Sequence, residues 1–234
     1  MTAVAVLGAM VVGFVGWVLL FRRRRDDIWP RTWAIAGVLI AYSVGVLAAL
    51  GELSEIVGPV GPVEVAVGAG VGAAWLVATH IGHAVLCRLF PSFIEQVKDL
   101  YGLGVNDPAS RVIGPILAMA VAEELLFRGV VQGLAGMVIG VVVYTAVQFV
   151  ERKWALALAA LLGGIIWGGL FELTGGIVAP IVAHALWTLS LTLVWPLRGC
   201  RDAPIEGPFD DDVDNSTDTR IRSEAHSPSK GHHA

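Results

Sequence analysis

An all-α, polytopic membrane bundle of about seven transmembrane helices is the fold class this sequence predicts, and three observations predict it. Hydrophobic residues make up 56% of the 234-residue chain and charged residues only 15%, against about 25% charged in an ordinary soluble domain; mean hydropathy is +0.72. The apolar residues are gathered into runs long enough to cross a bilayer. The basic residues cluster in alternate connections, as the positive-inside rule requires.

The first run covers about residues 3–21 and is followed at once by Arg22–Arg25. A cleavable signal peptide carries its positive charge before the apolar stretch. The reversed order predicts an uncleaved anchor with its N-terminus outside. Further runs fall near 32–51, 63–87, 111–135, 137–150, 154–172 and 176–196. Arg22–Arg25 with Arg31, then Arg88, Lys98 and Arg111, then Arg152 and Lys153, then Arg198 and Arg201 all lie on one side. The opposite connections carry Glu52, Glu55 and Glu172, and no base except Arg128. Seven crossings with the N-terminus out and the C-terminus in satisfy every loop.

Residues 92–108 mix charged and apolar side chains at helical spacing, which predicts a cytoplasmic interfacial helix. Trp29, Trp33, Trp154 and Trp195 fall near run ends, as interface anchors do. Gly68/Gly72 and Gly164/Gly168 are small-xxx-small pairs that predict close helix packing. The chain therefore divides into N-terminal transmembrane helices with the interfacial helix (1–110), a core (111–196) and an acidic cytoplasmic tail (197–234). The tail holds too few apolar residues to fold and is predicted to be disordered.

The net charge of −4 belongs to that tail: residues 202–234 hold eight acidic and three basic groups, residues 1–201 twelve and thirteen. It says little about what the membrane core binds. Both cysteines, Cys87 and Cys200, fall near the side read as cytoplasmic, where thiols stay reduced. No phosphate-binding or dinucleotide fingerprint occurs, and no basic patch interleaved with aromatics argues for a nucleic-acid partner. Membrane lipids are the partners that this composition predicts. The expected location is the plasma membrane of a prokaryote.

Three ionisable side chains interrupt the fourth run: Glu123, Glu124 and Arg128, in Ala-Glu-Glu-Leu-Leu-Phe-Arg-Gly. Each costs about 2.5–3.5 kcal/mol to insert at the bilayer centre, so such residues mark function. On an α-helix Glu124 and Arg128 share a face and neutralise each other. Glu123 is turned by about 100° from Glu124 and is left available. Tyr144 and Gln148 form an i, i+4 pair in the fifth run, and His184 and Thr188 another in the seventh. Pro180, one turn before His184, is expected to kink that helix. These residues are expected to line one polar chamber, with Glu123, Gln148 and His184 converging. His80, His83 and Cys87 fall on one stripe of the third run, with metal-ligand spacing, although packing is the commoner role of such residues.

Glu123-Glu124-x-x-x-Arg128, then Tyr144-x-x-x-Gln148, then His184-x-x-x-Thr188 resemble the three ordered motifs of the CAAX-protease and bacteriocin-processing family of intramembrane proteases, over roughly residues 110–195. The resemblance implies that Glu123 is the general base for a water, that Glu124 and Arg128 support it, and that His184 holds or polarises the water, directly or through a divalent metal such as zinc. Two positions depart from the family pattern: Gln148 stands at the second histidine and Thr188 at a common asparagine. Glutamine hydrogen-bonds a water or an oxyanion but is a poor ligand for zinc, so no residue is assigned to a metal. A catalytically silent relative acting as a membrane scaffold or binding partner is the alternative that Gln148 favours. A transporter would be expected to show internal repeats, and none is visible.

Overall fold

Each apolar run is helical, and no strand occurs among the described residues. The computed structural model describes residues 1–21, 28–101 and 107–197. The Arg22–Arg25 cluster, Arg198, Arg201, Cys200 and the acidic tail lie outside the described residues, and with them the predictions made for each.

Helix α1 is Thr2–Phe21, α2 is Ile28–Leu50 and the short α3 is Leu53–Val57; α4 is Pro62–Leu89 and α5 is Pro91–Tyr101. Helix α6, Ala109–Glu123, widens into a π-helix over Glu124–Gln132 and returns to α geometry for Gly133–Ala135. Helix α7, Met137–Gln148, ends in a 3₁₀ turn, Phe149–Glu151; α8 is Trp154–Thr174, and α9, Val178–Leu189, ends in a π turn, Ser190–Val194. Four of these, α1, α2, α4 and α8, are long and apolar enough to cross a membrane; Met137–Glu151 and Val178–Val194 are apolar but shorter. The protein is a helical integral membrane protein.

Local chemistry explains where the helices begin and end. Pro62 starts α4 at a position whose N–H has no intrahelical partner. Gly136 adopts φ +89, in the region that favours glycine, and lets the chain reverse from the π segment into α7. Pro180 does not kink a helix as the sequence predicts. It is the third residue of α9, in the first turn, where backbone N–H groups have no intrahelical acceptor, so it begins the helix without breaking it. The proline inside a helix is Pro115 of α6, which removes a bond to the carbonyl of Arg111 ahead of the Glu pair.

Packing centres on the π segment. Leu126, Phe127, Val130 and Val131 are fully buried and pack with Leu39 and Leu47 of α2 and with Ala9 and Trp17 of α1. The first glycine pair does what its spacing predicts. A Cβ on Gly72 would lie 2.8 Å from the carbonyl oxygen of Ala183, and one on Gly68 2.5 Å from that of Ala179. Helix α4 therefore rests backbone to backbone on α9, beside His184. The amphipathic α5 buries Phe93 and Val97 against Cys87 and Ala155. Gln96 accepts the Ala155 backbone N–H at 3.1 Å, tying α5 to the start of α8.

Candidate active site

Glu123 is the last residue of α6, and Glu124 the first of the π segment. π turns, closed by i→i+5 bonds, are rare and frequent at functional sites. The α spacing read from the sequence therefore does not hold from Glu124 onward. The Glu124–Arg128 contact forms nonetheless, with Arg128 Nε 3.2 Å from Glu124 Oε2.

Glu124 is the hub of the site. It is fully buried, and both its oxygens are engaged: Oε2 by Arg128 and Oε1 by His184 Nδ1 at 2.8 Å. The sequence suggests the first of these pairings and gives no sign of the second. Arg128 is also buried. Its guanidinium carbon lies 4.6 Å from the Tyr144 ring centroid, a cation–π contact, and its Nη2 lies 3.5 Å from the Gly164 carbonyl oxygen. Gly164 admits this arrangement: a Cβ there would meet Tyr144 Cδ1 at 3.3 Å.

Glu123, only 6% exposed, is less free than its position suggests. The Tyr144 hydroxyl donates to its Oε2 at 2.9 Å. No described group donates to its Oε1, so one oxygen remains for chemistry. His184 is similarly half-used. In the tautomer with its hydrogen on Nδ1, the imidazole donates to the Glu124 carboxylate and leaves Nε2 with an open lone pair. Trp167 stacks on the imidazole, centroids 5.7 Å apart and planes at 16°. A carboxylate that orients a histidine in this way sets both its tautomer and its direction.

Glu123, Glu124, Arg128, Tyr144 and His184 thus form one buried group drawn from α6, the π segment, α7 and α9. Gln148 lies one turn beyond Tyr144 and is buried, but it bonds to neither Glu123 nor His184. Its Oε1 accepts the indole N–H of Trp17, in α1, at 2.8 Å. Thr188 keeps a buried hydroxyl with no partner among the described residues. Two further residues escape the sequence reading. Gln132 donates to the Gly168 carbonyl at 3.0 Å and to Glu172 at 2.9 Å, at the far end of the π segment; a polar residue in an apolar run was its signal. Trp17 had none, being one of many aromatics in an apolar helix.

The donors present do not fit a zinc set. Glu124 is consumed by Arg128 and His184, and the Gln148 oxygen is turned to Trp17. Glu123 and His184 Nε2 remain where three protein ligands are usual. Nor does the α4 stripe supply a site. His80 stacks on Trp195 at 3.7 Å between centroids, and among the described residues no group of three His, Cys, Asp or Glu is placed to hold a metal. Cys87 is disulfide-bonded, which corrects the expectation of a reduced thiol.

No curated protein and no solved structure matches the chain. Residues 106–190 match the family model described as type II CAAX prenyl endopeptidase Rce1-like. That segment contains Glu123, Glu124, Arg128, Tyr144, Gln148, His184 and Thr188. The similarity to the Rce1-like family of CAAX prenyl endopeptidases therefore covers the whole of the candidate site.

Proposed function

We propose that this protein is an intramembrane endopeptidase of the CAAX prenyl protease type, hydrolysing a peptide bond of a membrane-associated or lipidated substrate by glutamate-activated water. The observation that carries the reading is the unequal use of the two carboxylates: Glu124 has one oxygen bonded to His184 and the other in ion-pair contact with Arg128, whereas Glu123 is held at one oxygen by Tyr144 and keeps the other open. In the proposed reaction Glu123 Oε1 takes a proton from the water as its oxygen bonds to the scissile carbonyl carbon, and the carbonyl π electrons move to oxygen. Collapse of that tetrahedral species breaks the C–N bond, and Glu123 returns the proton to the departing amine. His184 Nε2 accepts the water's second hydrogen and fixes its approach, while Tyr144 holds Glu123 in place. The seven apolar runs are read as seven crossings, N-terminus out and C-terminus in, in the plasma membrane of a prokaryote, with membrane lipids and the substrate as partners.

The test is cleavage of a farnesylated fluorogenic CAAX peptide by the full chain in lipid nanodiscs. Replacing Glu123 with Gln, nearly isosteric, should lower kcat by roughly 10²–10⁴-fold; wild-type turnover in that variant would sink the assignment. The alternative, a catalytically silent member acting as a membrane scaffold or binding partner, is favoured by Gln148 itself, which stands at the second histidine of the family pattern. Cleavage by Gln148→His alone, with an inert wild type, would decide for it.

A further inference from the structure

We infer that Trp17, in α1 and outside the matched segment, is a positioning residue that fixes Gln148 as a hydrogen-bond donor toward the reacting carbonyl. This rests on the hydrolytic reading above for its consequence, but not for its geometry. An indole N–H only donates. Whatever side-chain atom of Gln148 faces Trp17 Nε1 at 2.8 Å must therefore be the oxygen. Ambiguity between amide oxygen and nitrogen, the usual difficulty with glutamine, is removed by the chemistry of its neighbour. Both hydrogens on Gln148 Nε2 are consequently turned away from Trp17, and they meet no acceptor among the described residues.

The place of that donor matters. Gln148 lies one helical turn from Tyr144, on the same face of α7, and Tyr144 holds Glu123 at 2.9 Å. With its oxygen held toward α1 by Trp17, Gln148 turns its amide nitrogen, not its oxygen, away from that helix. It presents N–H groups, which stabilise the negative charge that develops on the carbonyl oxygen as water adds. The substitution that looks like the loss of a histidine is a change of polarity, from a residue able to accept to one that donates. The residue that enforces the change is 131 positions away in sequence, in a helix with no motif of its own.

Two measurements on the full chain in nanodiscs test this. The chain has eight tryptophans, so a spectrum of ¹⁵N-indole-labelled protein is sparse. Trp17→Phe identifies one N–H signal by its loss, and Gln148→Met should shift that same signal in otherwise wild-type protein. An unmoved signal overturns the inference. In the farnesylated peptide assay, Trp17→Phe keeps an aromatic ring but leaves the amide free to turn. It should lower kcat about tenfold with KM within about twofold, as loss of a transition-state contact does. Gln148→Glu, which keeps an acceptor for Trp17 and offers no N–H, should lower kcat by about 10²-fold or more. Full kcat in either variant overturns the donor role. Wild-type turnover in Glu123→Gln would count against the hydrolytic reading instead. If wild type leaves the peptide whole, that reading fails as well, and the indole signal alone then decides on Trp17.

Discussion

Two regions carry ionisable or metal-ligating side chains at helical spacing, and they have different fates. On α4, His80, His83 and Cys87 sit on one stripe. Their partners there are an aromatic ring for His80 and a disulfide bond for Cys87, with His83 Nε2 3.5 Å from the Cys87 sulfur. Around the π segment, Glu123, Glu124 and Arg128 receive Tyr144 from α7 and His184 from α9. Spacing within one helix puts groups on a face. A site arises only when other helices bring complementary groups to that face and bury the whole.

The comparison breaks most severely at Arg128. Replacing it with Leu leaves Glu124 buried with His184 as its only partner, and removing one member of a buried pair costs about 3–5 kcal/mol. A large loss of thermal stability in detergent is expected. The double replacement Glu124→Gln with Arg128→Leu should recover much of it, since no uncompensated carboxylate remains. Tyr144→Phe is a smaller intervention. It removes one hydroxyl from a carboxylate, worth about 1.5–3 kcal/mol where a charged group is bonded, and should lower kcat by about 10–100-fold while the protein stays folded. The α4 stripe provides the smallest effect. His80→Phe keeps a ring to stack on Trp195 and should leave cleavage of the farnesylated peptide within about twofold of wild type, as expected for surface or packing substitutions. A large loss there would erase the distinction between the two regions.

Much of this architecture could be read from the chain, for identifiable reasons. Runs of apolar residues announce helices because only a helix satisfies its own backbone in lipid, and each predicted run is helical. The inequality of Glu123 and Glu124 was also legible, since Arg128 lies at the right distance to occupy only one of them. What stayed hidden is tertiary. Nothing local to Glu124 signals that His184, 60 residues on, will take its second oxygen. Nothing local to Gln148 signals Trp17. The π geometry was equally silent, because side-chain composition does not distinguish an i→i+5 ladder from an i→i+4 one. Pro180 was misread for a related reason: whether a proline bends or begins a helix depends on where the previous turn stops, and that lies in the backbone between Gly175 and Val178.

The π segment has one more consequence, best described as an angular offset. A π turn takes up more residues than an α turn, so the stretch before Glu124 and the stretch after Gln132 are out of phase with any uniform helical wheel. The carboxylates at its start therefore look toward α7 and α9, while Gln132 at its end looks toward Gly168 and Glu172 of α8. One continuous helical segment thereby addresses separate neighbours. Deleting a single residue between Leu125 and Val131 would change that offset and redirect what lies beyond it, so the segment tolerates exchange of its apolar side chains far better than any change in its length.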